Sequence, residues 1–151
     1  MEEIKVTLVI PTLNEIQGLK LVLPRIDKSI FEEIIVIDAQ STDGTVEYIK
    51  KFNDIKLVTQ LSKGLTAAMV EAIEIVKTEY IIEFSPDNNC TPEELPLIVD
   101  KLKEGYEIVV ISRYLDDAVS EDDSIVTGFG NWMFSKLIRY LGKFPVTDAL
   151  T

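Results

Sequence analysis

Five short segments of this 151-residue sequence gather polar residues suited to chemistry. They are Pro11-Thr12-Leu13-Asn14-Glu15, Asp38-Ala39-Gln40-Ser41-Thr42-Asp43-Gly44, Lys63-Gly64, Ser85-Pro86-Asp87-Asn88-Asn89 and Ser112-Arg113-Tyr114. Carboxylates and amide oxygens are hard donors that suit Mg²⁺ or Mn²⁺. A lysine beside a glycine at a helix start suits phosphate, because backbone amides and the helix dipole favour an anion there. A guanidinium grips phosphate through a two-pronged fork. Each segment read alone is also ordinary turn chemistry, since Asp, Asn, Gly and Pro make turns anyway. Residues 87–91 also read as a turn and cap before Pro92, Lys63 as a solvated surface lysine, and Arg113 as a partner of Asp116 or Asp117.

Composition narrows the options. The chain has no histidine, which removes Ser-His-Asp and Cys-His catalysis and histidine-ligated zinc. The one cysteine, Cys90, excludes an internal disulfide framework and points to a reducing cytoplasm. A formal net charge of −11 argues against a general nucleic-acid binder, which needs a Lys/Arg excess. A phosphate-bearing small ligand stays compatible, because a bound cation inverts the local field. The first residues lack the basic flank of a signal peptide, and no apolar run approaches the length of a membrane span.

The elements that must position these segments follow from periodicity. The β-branched run 6–10 ends at Pro11 and reads as a buried strand. A helix from about Asn14-Glu15 carries Leu19, Val22, Leu23 and Ile26 inward, with Pro24 kinking or ending it. Strands follow at 33–37, 55–59, 80–84 and 108–111. Helices are predicted over 45–52, from about 65 to 76, from Thr91-Pro92 to near Gly105, and over about 131–141. Strand–helix repeated four times before a fifth strand implies an α/β fold with a mostly parallel sheet flanked by helices. Function in such a sheet lies beyond the C-terminal strand ends, where the polar segments fall.

These segments, in this order, resemble the family 2 glycosyltransferases. Val9-Ile10-Pro11-Thr12-Leu13-Asn14-Glu15 is similar to the family's opening strand and loop, and Ile37-Asp38-Ala39-Gln40-Ser41-Thr42-Asp43-Gly44-Thr45 to its second-strand motif. Lys63-Gly64-Leu65-Thr66-Ala67-Ala68 resembles the basic–Gly helix start, Asp87-Asn88-Asn89 its Asp-X-Asp motif, and Ser112-Arg113-Tyr114 the segment after the next strand. Within the family the look is nearest to the polyprenyl-phosphate sugar transferases. The resemblance implies a Rossmann-like GT-A fold, a UDP- or GDP-sugar donor, a divalent cation, and inverting transfer of a hexose to a polyprenyl (dolichyl-type) phosphate. Pro145-Val146-Thr147-Asp148 resembles the start of a further motif that would continue past Thr151, so the chain reads as a single domain incomplete at its C-terminus.

On that resemblance Pro11, Asn14, Glu15, Asp38, Lys63 and Gly64 are candidates for nucleotide binding, and Asp87 and Asn89 for metal. Asp87, Arg113 and Asp148 are the catalytic candidates. Ala39 replaces the second of the family's paired aspartates, and Asn89 the second aspartate of Asp-X-Asp. Those departures keep open a non-catalytic, nucleotide-sugar-binding domain of the same fold. The resemblance makes residues 120–130 a mobile acceptor loop. In the helix that follows, Lys136 and Arg139 lie beside large apolar groups, a pattern favouring core packing over peripheral membrane contact. The expected location is cytoplasmic, with the cytoplasmic face of a membrane as an option.

Overall fold

A computed structural model describes residues 4–87, 90–111 and 125–142. The chain divides into two compact units, Met1–Val109 and Val110–Thr151. In the first, four strands form one parallel sheet in the order β3-β2-β1-β4. They are β1 (Val6–Thr12), β2 (Glu33–Asp38), β3 (Lys56–Thr59) and β4 (Tyr80–Glu83). β1 is central, with Ile10 level with Val36 of β2 and Val9 level with Glu83 of β4. The helices of this unit are α1 (Ile16–Val22), α2 (Thr45–Ile49), α3 (Leu65–Ile75) and α4 (Leu95–Lys103).

The period-2 alternation of β1 and β2 sorts the core onto two faces. Val6, Leu8, Ile10, Ile34 and Val36 pack with Leu19 and Val22 of α1, Ile49 of α2, and Leu95, Val99 and Leu102 of α4. Val9 and Ile37 point to the opposite face and meet Ala68 and Ala72 of α3. Two alanines bring that helix close to the sheet, at the cost of a smaller apolar cluster. Thr7, fully buried, bonds through its hydroxyl to Thr78 at 2.7 Å, so no buried polar atom is stranded there.

Local chemistry sets where the helices stop. α1 ends before Pro24, and the chain tightens into a 3-10 turn, Leu23–Arg25, with Leu23 and Ile26 still buried. α2 ends at Ile49 rather than 52, because the amides of Lys51 and Phe52 bond three residues back instead of four. Pro92 opens a 3-10 turn, Pro92–Glu94, ahead of α4, and the Thr91 side chain makes no capping bond.

Two expectations need correction. Residues 108–111 form no strand among the described residues, and Ile108 and Val110 are 82% and 60% exposed. Their β-branched character suits a pleated, half-buried surface, but no described strand pairs with them. The last helix, α5 (Ile125–Gly142), is longer than expected, and among its described side chains most large apolar residues are exposed. Trp132, Met133, Phe134, Leu137, Tyr140 and Leu141 are all exposed, whereas Asn131 and Ser135 are buried. Lys136 lies over the Trp132 ring, 4.3 Å from its centroid, one helical turn along.

The two-faced core makes a graded stability prediction. Leu8→Ala removes a fully buried side chain beneath α1 and should cost about 2–5 kcal/mol in urea unfolding. Ile73→Ala, at an α3 position that is 61% exposed, should change stability by no more than about 0.5 kcal/mol.

Candidate functional site

The chain runs β1 to β2 to β3 in one direction, then returns to place β4 on the other edge of β1. The connections leaving β1 and β4 both pass to the face covered by α1 and α4, so the post-β1 loop (13–15) and the post-β4 loop (84–87) lie side by side at the C-terminal rim.

Asn14 and Gln40 both take left-handed backbone conformations, φ 59° and 64°, which few side chains other than Asn tolerate well. In that conformation the Asn14 amide donates to Ser41 Oγ at 2.8 Å, and Asn14 Oδ1 accepts from the Thr42 amide at 2.8 Å. The Glu15 amide donates to Thr45 Oγ1 at 3.1 Å and the Ile16 amide to Asp43 Oδ2 at 3.0 Å. Asp43 Oδ1 also accepts from the Thr45 amide and hydroxyl, so one carboxylate serves the first turns of both α1 and α2. These bonds, the Thr45 hydroxyl foremost, hold the Asp43 carboxyl below the usual aspartate range. Gly44 follows at φ 97°, and a Cβ there would stand 3.2 Å from Ile16 Cδ1.

Asp38 is 2% exposed and its carboxylate is engaged inside the protein. It accepts from the Ser41 amide at 2.9 Å, the Ser41 hydroxyl at 2.5 Å and the Thr12 hydroxyl at 3.2 Å. In this arrangement Asp38 shapes the post-β2 loop, and the rim in turn holds Asn14.

Behind β3, Gln60 is buried and links two parts of the rim. Its amide donates to the Asp38 carbonyl at 2.8 Å and its side-chain nitrogen to the Gly64 carbonyl at 2.8 Å. Glu71 of α3 reaches back to accept from the amides of Leu61 and Ser62 at 2.9 and 2.7 Å, which lowers its carboxyl pKa. The loop carrying exposed Lys63 is thus fixed at both ends. Gly64 sits at φ 95°, ψ 159°, a region open essentially to glycine alone, and α3 starts immediately after it.

In the adjoining post-β4 loop, Pro86 is buried and Asp87 exposed. Burial raises the Glu15 carboxyl pKa first, followed by the charges of Asp87 and then Asp43. This part of the rim is therefore acidic. Among the described residues no group of three or more acidic, cysteine or histidine side chains converges into a cage for a metal. The donors present suit a different arrangement: one or two carboxylates binding a hard cation whose other ligands are water and substrate phosphate.

Pro11, Asn14, Glu15, Asp38, Lys63, Gly64 and Asp87 all fall on this rim. Bonded loops join Asn14 and Glu15 to the Asp38 turn, and Gln60 joins that turn to Gly64. Asn89, Arg113 and Asp148 lie outside the described residues, as do the polar segment 112–124 and the final motif. Sequence reasoning placed Ser41, Asp43 and Thr45 in a motif without giving them individual roles, and assigned no part in the site to Gly18, Gln60 or Glu71. Asp-Gly-Thr did carry a cap signal, and a glycine inside a helix is a mark of close approach. Nothing local marks Glu71, whose partners lie nine and ten residues back in the chain.

Residues 7–149 match the family model described as Glycosyl transferase family 2. The dolichol-phosphate mannosyltransferase of Pyrococcus furiosus is 29% identical over 149 residues, covering 94% of this chain and 40% of that protein. An undecaprenyl-phosphate 4-deoxy-4-formamido-L-arabinose transferase of Aeromonas hydrophila is 32% identical over 119 residues, covering 72% of this chain and 36% of that protein. The chain thus spans well under half the length of these two relatives. Among solved structures, glucosyl-3-phosphoglycerate synthase of Mycobacterium tuberculosis, crystallised with Mn²⁺, UDP and glucosyl-3-phosphoglycerate, superposes with a TM-score of 0.59 at 22% identity. That match covers 66% of this chain and 39% of the synthase and is a likeness of fold.

The Asp43 bridge makes a pH prediction. Because its carboxyl is held below the ordinary range, its stabilising contribution is present above that range and is lost as pH falls through the lowered value. Asp43→Ala should therefore lower Tm at pH 7, and the gap to the wild type should close on acidification. A gap that persists at the lowest pH at which both chains fold would exclude the bridge as its cause.

Proposed function

We propose, from the premise that this chain belongs to glycosyl transferase family 2, that it takes part in moving a hexose from a UDP- or GDP-sugar to a polyprenyl phosphate. The observation that carries this reading is the shared rim of β1 and β4, where Glu15 feels the charge of Asp87 beside the loops bonded through Asn14. Pro11, Asn14 and Glu15 border the base and ribose of the donor. Asp38 acts by holding Ser41 and hence the Asn14 loop, and Ala39 leaves that stretch without a second carboxylate. Lys63 and the amides at the start of α3 draw in diphosphate.

Asp87, with Asn89 two residues further on, would hold Mg²⁺ or Mn²⁺, which supplies charge neutralisation to the departing nucleotide when bound. Arg113 and Asp148 are assigned to the acceptor side of the reaction. An acceptor phosphate monoester, with a second pKa of about 6, is already largely dianionic at neutral pH and needs no strong base. A chain without histidine is compatible with that acceptor. The transfer is a single inverting displacement by the acceptor oxygen at the anomeric carbon.

The exposed apolar face of α5, with Lys136 and Arg139 and no acidic residue from 125 to 142, suits peripheral contact at the cytoplasmic face of a membrane. No helix among the described residues is long and apolar enough to cross one. A second reading, a binding domain without turnover, draws support from the internal engagement of the Asp38 carboxylate beside Ala39.

Calorimetric titration with UDP and GDP, with and without Mn²⁺, tests the assignment. Binding to one nucleotide should tighten with Mn²⁺, and Asp87→Ala should abolish that gain, a loss of about tenfold or more, equivalent to ~1.4 kcal/mol. A folded chain that binds neither nucleotide would sink the donor-site assignment. Metal-dependent binding without hexose transfer by the full-length protein would favour the second reading.

A further inference from the structure

Gly18 lies inside α1, where almost any other residue would favour the helix more. The reason for glycine is space. A Cβ at this position would stand 1.9 Å from the Pro86 carbonyl oxygen and 2.9 Å from its carbonyl carbon. Both are backbone atoms, which cannot rotate aside as the tip of a flexible side chain can. Glu15 Oε2 lies 3.4 Å from the same point, so the helix, the acidic side chain of Glu15 and the post-β4 loop converge there.

Neither partner is free to yield. α1 is tied at its start to Asp43 and Thr45 and buried along its length through Leu19 and Val22. Pro86 is buried, its ring fixes φ, and the preceding Phe84 amide bonds to the Val9 carbonyl of β1 at 2.9 Å. Asp87 is the next residue after Pro86. Displacement of the Pro86 carbonyl therefore moves Asp87.

We propose that Gly18 is a positioning residue for Asp87: its missing side chain seats the Pro86 carbonyl against α1, and that seat sets the cation-dependent part of nucleotide binding. The functional half rests on the role proposed above for Asp87. The seat itself is a geometric claim that needs no ligand.

The two halves have separate readouts. Cys90 is the only cysteine in the chain, half-buried, and its thiol takes a hydrogen bond from the Ser85 backbone in the same loop. Its rate of labelling by a thiol reagent thus reports how firmly the loop is seated. Gly18→Ala should speed labelling by about threefold or more, since reactivity follows exposure of the thiol. In calorimetry the same variant should lose the Mn²⁺-dependent gain by about tenfold or more, the scale expected when the group that positions a metal ligand is disturbed. Metal-free affinity should stay within about twofold of wild type, because the Asn14 side of the rim is untouched. Added to Asp87→Ala, Gly18→Ala should cause no further loss.

Unchanged labelling together with an unchanged metal-dependent gain would overturn the proposal. So would an equal fall in metal-free and metal-dependent affinity, which marks a general lesion. A wild-type chain with no Asp87-dependent gain would remove the assignment of Asp87 and the link to binding, and labelling would then decide the seat alone. If Gly18→Ala does not fold, Pro86→Gly loosens the same contact from the loop side. It should likewise speed labelling and weaken the metal-dependent gain, and failure in both would count against the seat.

Discussion

β1 is bonded along both edges and buried on both faces, and that confinement determines the rest of the site. A strand so enclosed cannot slip register without moving Leu8 and Ile10 out of one cluster and Val9 out of the other. Its end at Thr12 is therefore fixed, and so is the point where the polar residues begin. Parallel pairing brings the ends of β2, β3 and β4 to the same rim. The chemistry is gathered by the sheet before any side chain at the rim makes a bond.

What the side chains add is stiffness. Hydroxyls and carboxylates alternate around the loops: Thr12 and Ser41 donate to Asp38, Thr45 donates to Asp43, and both Ser41 and Thr45 accept from amides of the facing loop. Ser41 and Thr45 thus each act once as donor and once as acceptor, Thr12 only donates, and each carboxylate draws its donors from within the rim. A loop built this way resists rearrangement, which favours binding because less order must be imposed when a ligand arrives. Glu15 differs from this pattern. Its pKa is raised by burial and by like charge, so it sits in an environment that favours an incoming cation or a proton.

Much of this was readable in the residues. The β-branched runs ending at Pro11 and Asp38 located the two central strands, and Pro24 marked the end of α1. The clustering of polar segments at strand ends placed the rim. Sequence alone could not tell whether Asp38 faced a ligand or its own loop, because that depends on the path of Ser41 and Thr12. The run at 108–111 had strand-forming residues without a described partner, and pairing is a tertiary property. The apolar stripe of α5 favoured core packing on periodicity, whereas the described burial puts Asn131 and Ser135 inward instead. Gly18 and Glu71 act through contacts across the fold, which spacing in the chain does not reveal.

The unequal covering of the sheet bears on motion. α3 rests on Val9 and Ile37 through alanines, while the opposite face holds three helices over a much larger apolar cluster. Helices with less buried apolar surface open more readily, so α3 is the natural first unit to detach in local unfolding. The Lys63 loop is fastened to that helix by Glu71 and by the Gly64 start. A diphosphate drawn to this loop would bind only the seated helix, and by mass action would slow hydrogen exchange along α3, including amides far from the ligand. Rigidity is thus not uniform here: an anion bound at one end of α3 and attachment of the whole helix would be two sides of a single equilibrium.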